Sequence, residues 1–116
     1  MAAALGDVGA LAHLLPRSSP ADVQTAFGLA VINGEIEAAR LALRAGADVN
    51  ARLPVHAHST ALHHAAGGDR ADIIAFLLEH GARTDVRDTL WDATPLGWAR
   101  YGRRASAIAA LERVTP

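Results

Sequence analysis

Residues 60–88 read TALHHAAGGDRADIIAFLLEHGARTDVRD, and this stretch decides the fold because its pattern recurs twice elsewhere in the chain. Residues 25–52 read TAFGLAVINGEIEAARLALRAGADVNAR, and residues 94–114 read TPLGWARYGRRASAIAALERV. The three copies start 35 and 34 residues apart, at Thr25, Thr60 and Thr94. A repeat of this period indicates a stack of similar structural units, each of which buries its apolar face against its neighbours.

Within each copy, the pattern predicts two helices joined by a short turn. The threonine that opens each copy is suited to capping the first helix, and Pro95 fits a first helical turn. Alanine recurs inside the first helix, where the two helices of a repeat approach closely, at Ala30, Ala65 and Ala99. The second helix of the middle copy carries one apolar stripe, formed by Ile73, Ile74, Leu77 and Leu78. Gly46 and Gly81 then supply the left-handed residue that ends each second helix, and an extended segment leads into a hairpin.

Several of these residues match a known signature. Thr94-Pro95-Leu96 and Thr60-Ala61-Leu62-His63 resemble the T-P-L-H-x-A motif of the ankyrin-repeat family, and the segments 46–51 and 81–85 resemble the endings of its repeats. The resemblance covers nearly the whole chain. It implies an all-α repeat fold, an ankyrin solenoid of helix-turn-helix units with hairpin loops, containing about one half repeat plus three repeats.

This register predicts a single domain over residues 1–116. We divide it into an N-terminal half repeat (1–19), two repeats (21–52 and 53–88) and a C-terminal capping repeat (89–116). The half repeat is a weak cap, because too few residues precede Leu5 to form a complete first helix. Leu5 and Val8 would then leave an apolar edge. We expect either that this edge supports a homodimer or that the chain is part of a longer protein.

The composition narrows the classes of function. The chain has 116 residues, of which 51% are hydrophobic, and its formal charge is -1. It is therefore large enough for one packed domain, and no global field favours nucleic acid or an anionic membrane. The absence of cysteine excludes disulfides, thiolate metal sites and thiol nucleophiles. We expect a cytoplasmic protein without a cofactor, a transmembrane span or a signal peptide.

The ankyrin resemblance implies that the hairpin tips and the first-helix face form a binding surface for another protein. On this basis we predict a protein-protein interaction module, and not an enzyme. The predicted contact residues lie in two loops and on two first helices, and they are His56, His58, His64, Leu90, Trp91, Trp98 and Tyr101. Two alternatives stay open: Trp91 can fold back onto the repeat stack, and Trp98 can belong to the packing between repeats.

A second hypothesis starts from the histidines at positions 56, 58, 63 and 64. Together with Asp92, they would suit a small-molecule or metal-binding protein, or an enzyme, with His56 and His58 as the weak metal candidates. Against this, the resemblance implies that His63 supports the turn by hydrogen bonding. No motif that pairs a nucleophile with a base is present. A basic cluster, Arg100, Arg103 and Arg104, could hold a phosphate or an acidic segment, or it could be a solvated cap surface.

Overall fold

The computed structural model describes residues 15–54 and 57–115. Across these residues there are six α-helices and no β-strand, which confirms the predicted all-α repeat fold. A 3-10 turn (Leu15–Arg17) precedes helices α1 (Pro20–Ile32), α2 (Ile36–Arg44), α3 (Ala61–Gly67), α4 (Ala71–Glu79), α5 (Pro95–Tyr101) and α6 (Ala105–Glu112). In this described part, the helices are too short or too polar to cross a membrane. The predicted edge at Leu5 and Val8, most of the half repeat and His56 lie outside the described residues.

The helices pack as three antiparallel pairs, α1 with α2, α3 with α4 and α5 with α6. Helix α3 also contacts α1 and α5, so the middle pair joins the other two. The alanines predicted at the close approaches are all buried, with Ala30 and Ala99 at 0% and Ala65 at 2% exposure. In α4, the predicted stripe faces the core: Ile73, Ile74 and Leu77 are fully buried, and Leu78 is partly buried.

Most of the predicted helix ends are confirmed. Thr60 is the N-cap residue of α3, where its backbone N–H donates to the ring of His63 at 3.1 Å. Thr94 caps α5 by accepting a hydrogen bond from the N–H of Gly97 at 3.2 Å. At the ends of α2 and α4, Gly46 and Gly81 have φ angles of +108° and +87°. These angles lie in the left-handed region, where glycine avoids the clash that a Cβ would cause.

The prediction that Thr25 opens a first helix is wrong. Helix α1 begins earlier, at Pro20, where the Ser19 hydroxyl accepts a hydrogen bond from the N–H of Asp22. Thr25 lies inside this helix, and its hydroxyl donates to the carbonyl of Ala21 at 3.0 Å. The reason is local: a serine cap followed by proline is a strong start signal, and the segment up to Thr25 has no residue that would break a helix.

Helix α6 receives its N-terminal cap from the neighbouring repeat. Its own N-cap residue, Arg104, makes no capping hydrogen bond. Instead, the carboxylate of Asp69, in the turn between α3 and α4, accepts a hydrogen bond from the N–H of Ala107 at 2.9 Å. Asp69 has a φ of +57°, a conformation that aspartate, asparagine and glycine adopt more readily than other residues.

Replacing Asp69 with glycine should therefore lower the free energy of unfolding by about 1 kcal/mol, the usual value of one hydrogen bond, because glycine tolerates the positive φ but has no acceptor for the N–H of Ala107. Asp69→Asn keeps both the conformation and an acceptor oxygen, so it is the matched control and should stay close to wild type. Urea unfolding followed by circular dichroism measures both. Equal losses in the two variants would contradict this role for the carboxylate.

Candidate functional site

The most unusual feature of the chain is a buried carboxylate in the loop between α4 and α5, which we call the second loop. Asp88 is 2% exposed and accepts four hydrogen bonds. Its Oδ1 atom accepts from the backbone N–H of Leu90 at 2.9 Å and of Trp91 at 2.6 Å. Its Oδ2 atom accepts from the N–H of Ala93 at 3.0 Å and from the indole Nε1–H of Trp98 at 2.9 Å. One side chain therefore shapes the loop and fixes the orientation of Trp98.

These donors also keep Asp88 ionised. Burial alone would raise the pKa of the carboxyl, because it disfavours the charged form. The hydrogen bonds from the Trp98 indole and from the backbone N–H groups of Trp91, Ala93 and Leu90 outweigh burial, so the pKa of Asp88 is held well below its usual value. Each oxygen of this carboxylate already accepts two hydrogen bonds from within the chain, so neither is available to a ligand.

His63 links α3 to the same loop. Its Nδ1 atom accepts a hydrogen bond from the N–H of Thr60 at 3.1 Å, which places the ring proton on Nε2. The Nε2–H then donates to the carbonyl of Ala93 at 2.9 Å, and that carbonyl also accepts the N–H of Asp88 at 2.9 Å. The ring is fully buried, and burial lowers the pKa of His63. This histidine therefore supports the turn by hydrogen bonding, as the ankyrin resemblance implies.

The second loop is also fastened to the loop between α2 and α3, the first loop. The guanidinium of Arg52 donates to the carbonyls of His58 at 2.9 Å and Arg87 at 3.0 Å, and the N–H of Thr89 donates to the same His58 carbonyl at 3.0 Å. The Asn50 side chain adds two further bonds, to the Gly81 carbonyl and from the Arg83 N–H. Side chains that bond backbone groups fix the described part of the first loop (residues 45–54 and 57–60) to the second loop, so these segments are preorganised.

Trp98 is the centre of an aromatic cluster built on this framework. The ring of His58 stacks on it at 5.9 Å between centroids, and the ring of His64 meets it edge-on at 5.5 Å. Trp91 also meets Trp98 edge-on, at 5.9 Å, and contacts His58 at 5.6 Å. Trp98 is half-buried, whereas Trp91 keeps 67% of its surface exposed. The cluster therefore presents one fixed tryptophan and one exposed tryptophan on the same side of the molecule.

The cluster forms a wall of an open groove of about 750 Å³, within the roughly 300–1,000 Å³ typical of ligand-binding clefts. The groove runs beside α5, and three glycines leave it open, namely Gly67, Gly97 and Gly102. The remaining lining residues are His58, His64, Trp91, Ala93, Trp98, Tyr101 and Arg104. At Gly67, an added Cβ would meet only the Trp98 ring, at 3.5 Å, so this position faces space and not backbone.

The structure thus brings together five of the seven predicted contact residues, His58, His64, Trp91, Trp98 and Tyr101. Leu90 is 63% exposed but does not line the groove, and His56 lies outside the described residues. Sequence reasoning missed the supporting role of Asp88 and the places of Gly97 and Gly102 in the groove. It named Arg104 as part of a basic cluster but did not place it beside the aromatic residues. One signal was present for Asp88, because it occupies the repeat position at which the preceding repeat has the buried Leu53.

The structure does not group the histidines and Asp92 in the way that the second hypothesis expects. Asp92, which that hypothesis groups with the histidines, is an exposed residue outside the groove, and its carboxylate lies 3.5 Å from the guanidinium of Arg87. Its backbone φ is +52°, in the left-handed region. Within residues 15–54 and 57–115, no three side chains of the metal-ligating types are grouped so as to hold an ion. Ser59 lies 2.9 Å from Nε2 of His64 but is 0% exposed, so a substrate could not reach its hydroxyl.

Comparison with known proteins identifies the family. The family model described as "Ankyrin repeats (3 copies)" matches residues 1–88 and 27–111. The chain belongs to the ankyrin-repeat family. Among curated proteins, no match is significant. Ankyrin repeats are generally protein-protein interaction modules and are typically not enzymes.

Proposed function

We propose that this ankyrin-repeat protein is a protein-interaction module that binds a segment of a partner protein in the groove beside α5. The proposed contacts are His58, His64, Trp91, Trp98 and Tyr101 in the groove, with Leu90 on the second loop. His56 stays a predicted contact from the sequence, outside the described residues. The observation that carries this proposal is the exposure of Trp91, which keeps 67% of its surface accessible beside a groove of fixed aromatic rings.

Two physical arguments support the site. Tryptophan is the residue most enriched among interface positions that dominate binding energy, and a tryptophan held in place loses little conformational entropy on binding. The framework of Asp88, His63 and Arg52 supplies that rigidity, because each of their side chains bonds backbone groups of the loops. Leu90 and Tyr101, at 63% and 94% exposure, extend the apolar surface around the groove.

Replacing Trp91 with alanine should weaken partner binding roughly 30-fold or more, the effect of removing an interface position worth about 2 kcal/mol. The melting temperature should change little, because the side chain is mostly exposed. The measurement is affinity capture from a lysate of the source organism, followed by titration of the captured protein against the purified variants. Unchanged affinity would show that this tryptophan is not part of the binding site.

A second variant tests the groove by filling it. Gly67→Leu places a large side chain against Trp98, and the φ of Gly67 is outside the left-handed region, so the helix should accept it. This variant should lose the same partner as Trp91→Ala. Val114→Ala is the matched control, because Val114 is an exposed apolar residue outside the groove. A partner that all three variants retain would place the interface elsewhere on the repeat stack.

The homodimer predicted through Leu5 and Val8 is a separate proposal and can coexist with the groove. It is tested by the mass of the chain in solution over a range of concentrations. A monomeric mass at the highest concentration would contradict the homodimer proposal.

A further inference from the structure

Two arginines at the groove have no acidic partner among the residues that the structure describes. Arg104 lines the groove, and Arg103 precedes it in the turn between α5 and α6; both are exposed. Neither arginine has a carboxylate within ion-pair distance in the described part of the chain. By contrast, the third arginine of this basic cluster, Arg100, pairs with Glu112 at 3.3 Å.

Three acidic side chains from the loops and turns next to α3 and α5 already have partners within the chain. Asp88 accepts four hydrogen bonds, Asp92 faces Arg87, and Asp69 caps α6 through Ala107. Among residues 15–54 and 57–115, no acidic residue lines the groove, and Arg104 is the one lining residue of that part whose formal charge is independent of pH near neutrality. The groove therefore combines aromatic rings with one unpaired guanidinium.

The position of Arg104 gives the groove two different ends. The side chain lies over Gly102, since a Cβ added at Gly102 would come within 3.2 Å of its Nε atom. Trp91 and Ala93 lie just before the start of α5, whereas Gly102 and Arg104 lie just after its end. Helix α5 has seven residues, which corresponds to about 10 Å at a rise of about 1.5 Å per residue. An extended peptide covers this distance with about three residues.

We infer that the occupant of the groove is an extended peptide segment of a partner protein that carries an aromatic anchor and, about three residues away, an acidic side chain. The aromatic anchor packs against Trp91 and Trp98, and the carboxylate pairs with Arg104, with Arg103 adding to the positive field. Arginine suits this role, because its planar guanidinium can bond both oxygens of a carboxylate. This inference rests on the proposed function and specifies the chemistry of the partner.

The test is selection from a displayed library of random linear peptides against the full chain and three variants, which are Arg17→Glu, Arg104→Glu and Gly67→Leu. Wild type and Arg17→Glu should both select an aromatic residue paired with Asp or Glu. Arg17 is exposed and does not line the groove, so this variant controls for net charge alone. Arg104→Glu should lose the acidic preference and select Lys or Arg in its place. Circular dichroism verifies that each variant is folded.

A selected acidic peptide, labelled with a fluorophore, then gives the magnitude. Its affinity should fall roughly tenfold on Arg104→Glu and should weaken as salt is added, because an exposed ion pair is screened. Peptides that still prefer acid on Arg104→Glu, or wild-type peptides that lose binding on Gly67→Leu but carry no acid, would overturn the inference while leaving the groove as the binding site. If no selected peptide is sensitive to Gly67→Leu, the proposed groove function itself is overturned.

Discussion

Replacing Asp88 with alanine is expected to lower the free energy of unfolding by about 3–4 kcal/mol, because it removes an ionised acceptor that satisfies four donors. Two of these donors, the N–H groups of Leu90 and Trp91, lie in an exposed part of the second loop, where water can replace the carboxylate. The other two, on Ala93 and Trp98, are partly buried. Their unmet hydrogen bonds account for most of the expected loss.

The measurement for Asp88 is urea unfolding with tryptophan fluorescence as a second signal. Fluorescence should change in the native baseline of Asp88→Ala, since the Trp98 ring loses its fixed orientation. Asp92→Asn is the matched control: it removes an exposed ion pair in the same loop, keeps a residue that tolerates a positive φ, and should cost less than about 0.5 kcal/mol. A loss no larger for Asp88→Ala than for Asp92→Asn would contradict the role of the buried carboxylate.

The Asp88 carboxylate also predicts how acid affects stability. Its pKa in the folded chain is held well below the ordinary value of 3.8, so the unfolded chain binds the proton more readily. The stabilisation is therefore complete above about pH 4 and is lost as the pH falls below that value. Asp88→Ala should flatten this part of the stability profile, and an unchanged profile in the variant would show that other carboxyls produce the acid response.

The helical framework was predictable from the sequence because the repeats place the same residue types at the same positions. Thr60 and Thr94 open first helices, Gly81 ends a second helix, and the same spacing places the alanines that let helices approach. The helix start predicted at Thr25 was the exception, and it was wrong. The residues before it do not follow the pattern of a repeat loop, and a stronger local start signal at Ser19 and Pro20 sets the helix boundary.

The exposed aromatic residues of the site were predictable from the sequence, whereas the side chains that hold them in place were not. Trp91, Trp98 and Tyr101 stood out because large aromatic residues are rare in this chain. Asp88 did not stand out as a support, since an aspartate in a loop is ordinary until the fold places an indole N–H beside it. Arg104 joined the groove only because the turn after α5 lays its side chain over Gly102. Such contacts depend on loop geometry, which repeat spacing does not specify.

Replacing His63 with alanine is expected to destabilise the chain by about 3 kcal/mol. The variant removes a fully buried ring, leaves a cavity, and breaks the hydrogen bonds to Thr60 and Ala93. The bond to Ala93 spans two repeats, so its loss should also loosen the second loop and weaken partner binding. Urea unfolding gives the first effect, and titration with the partner gives the second. His80→Gln, at an exposed histidine outside the groove, is the control and should cost less than about 1 kcal/mol.

The buried ring of His63 should make the stability of the chain depend on pH. Burial lowers its pKa, and this outweighs the opposite effects of the Ala93 hydrogen bond and the Asp88 charge. The unfolded chain, with an ordinary histidine pKa of 6.5, therefore binds a proton at a pH where the folded chain does not. Stability should be complete above about pH 6.5 and should fall as the pH drops towards the lowered pKa of the folded chain. His63→Ala should lose that slope, whereas His80→Gln should keep it. Parallel profiles for wild type and His63→Ala would mean that the proton enters elsewhere.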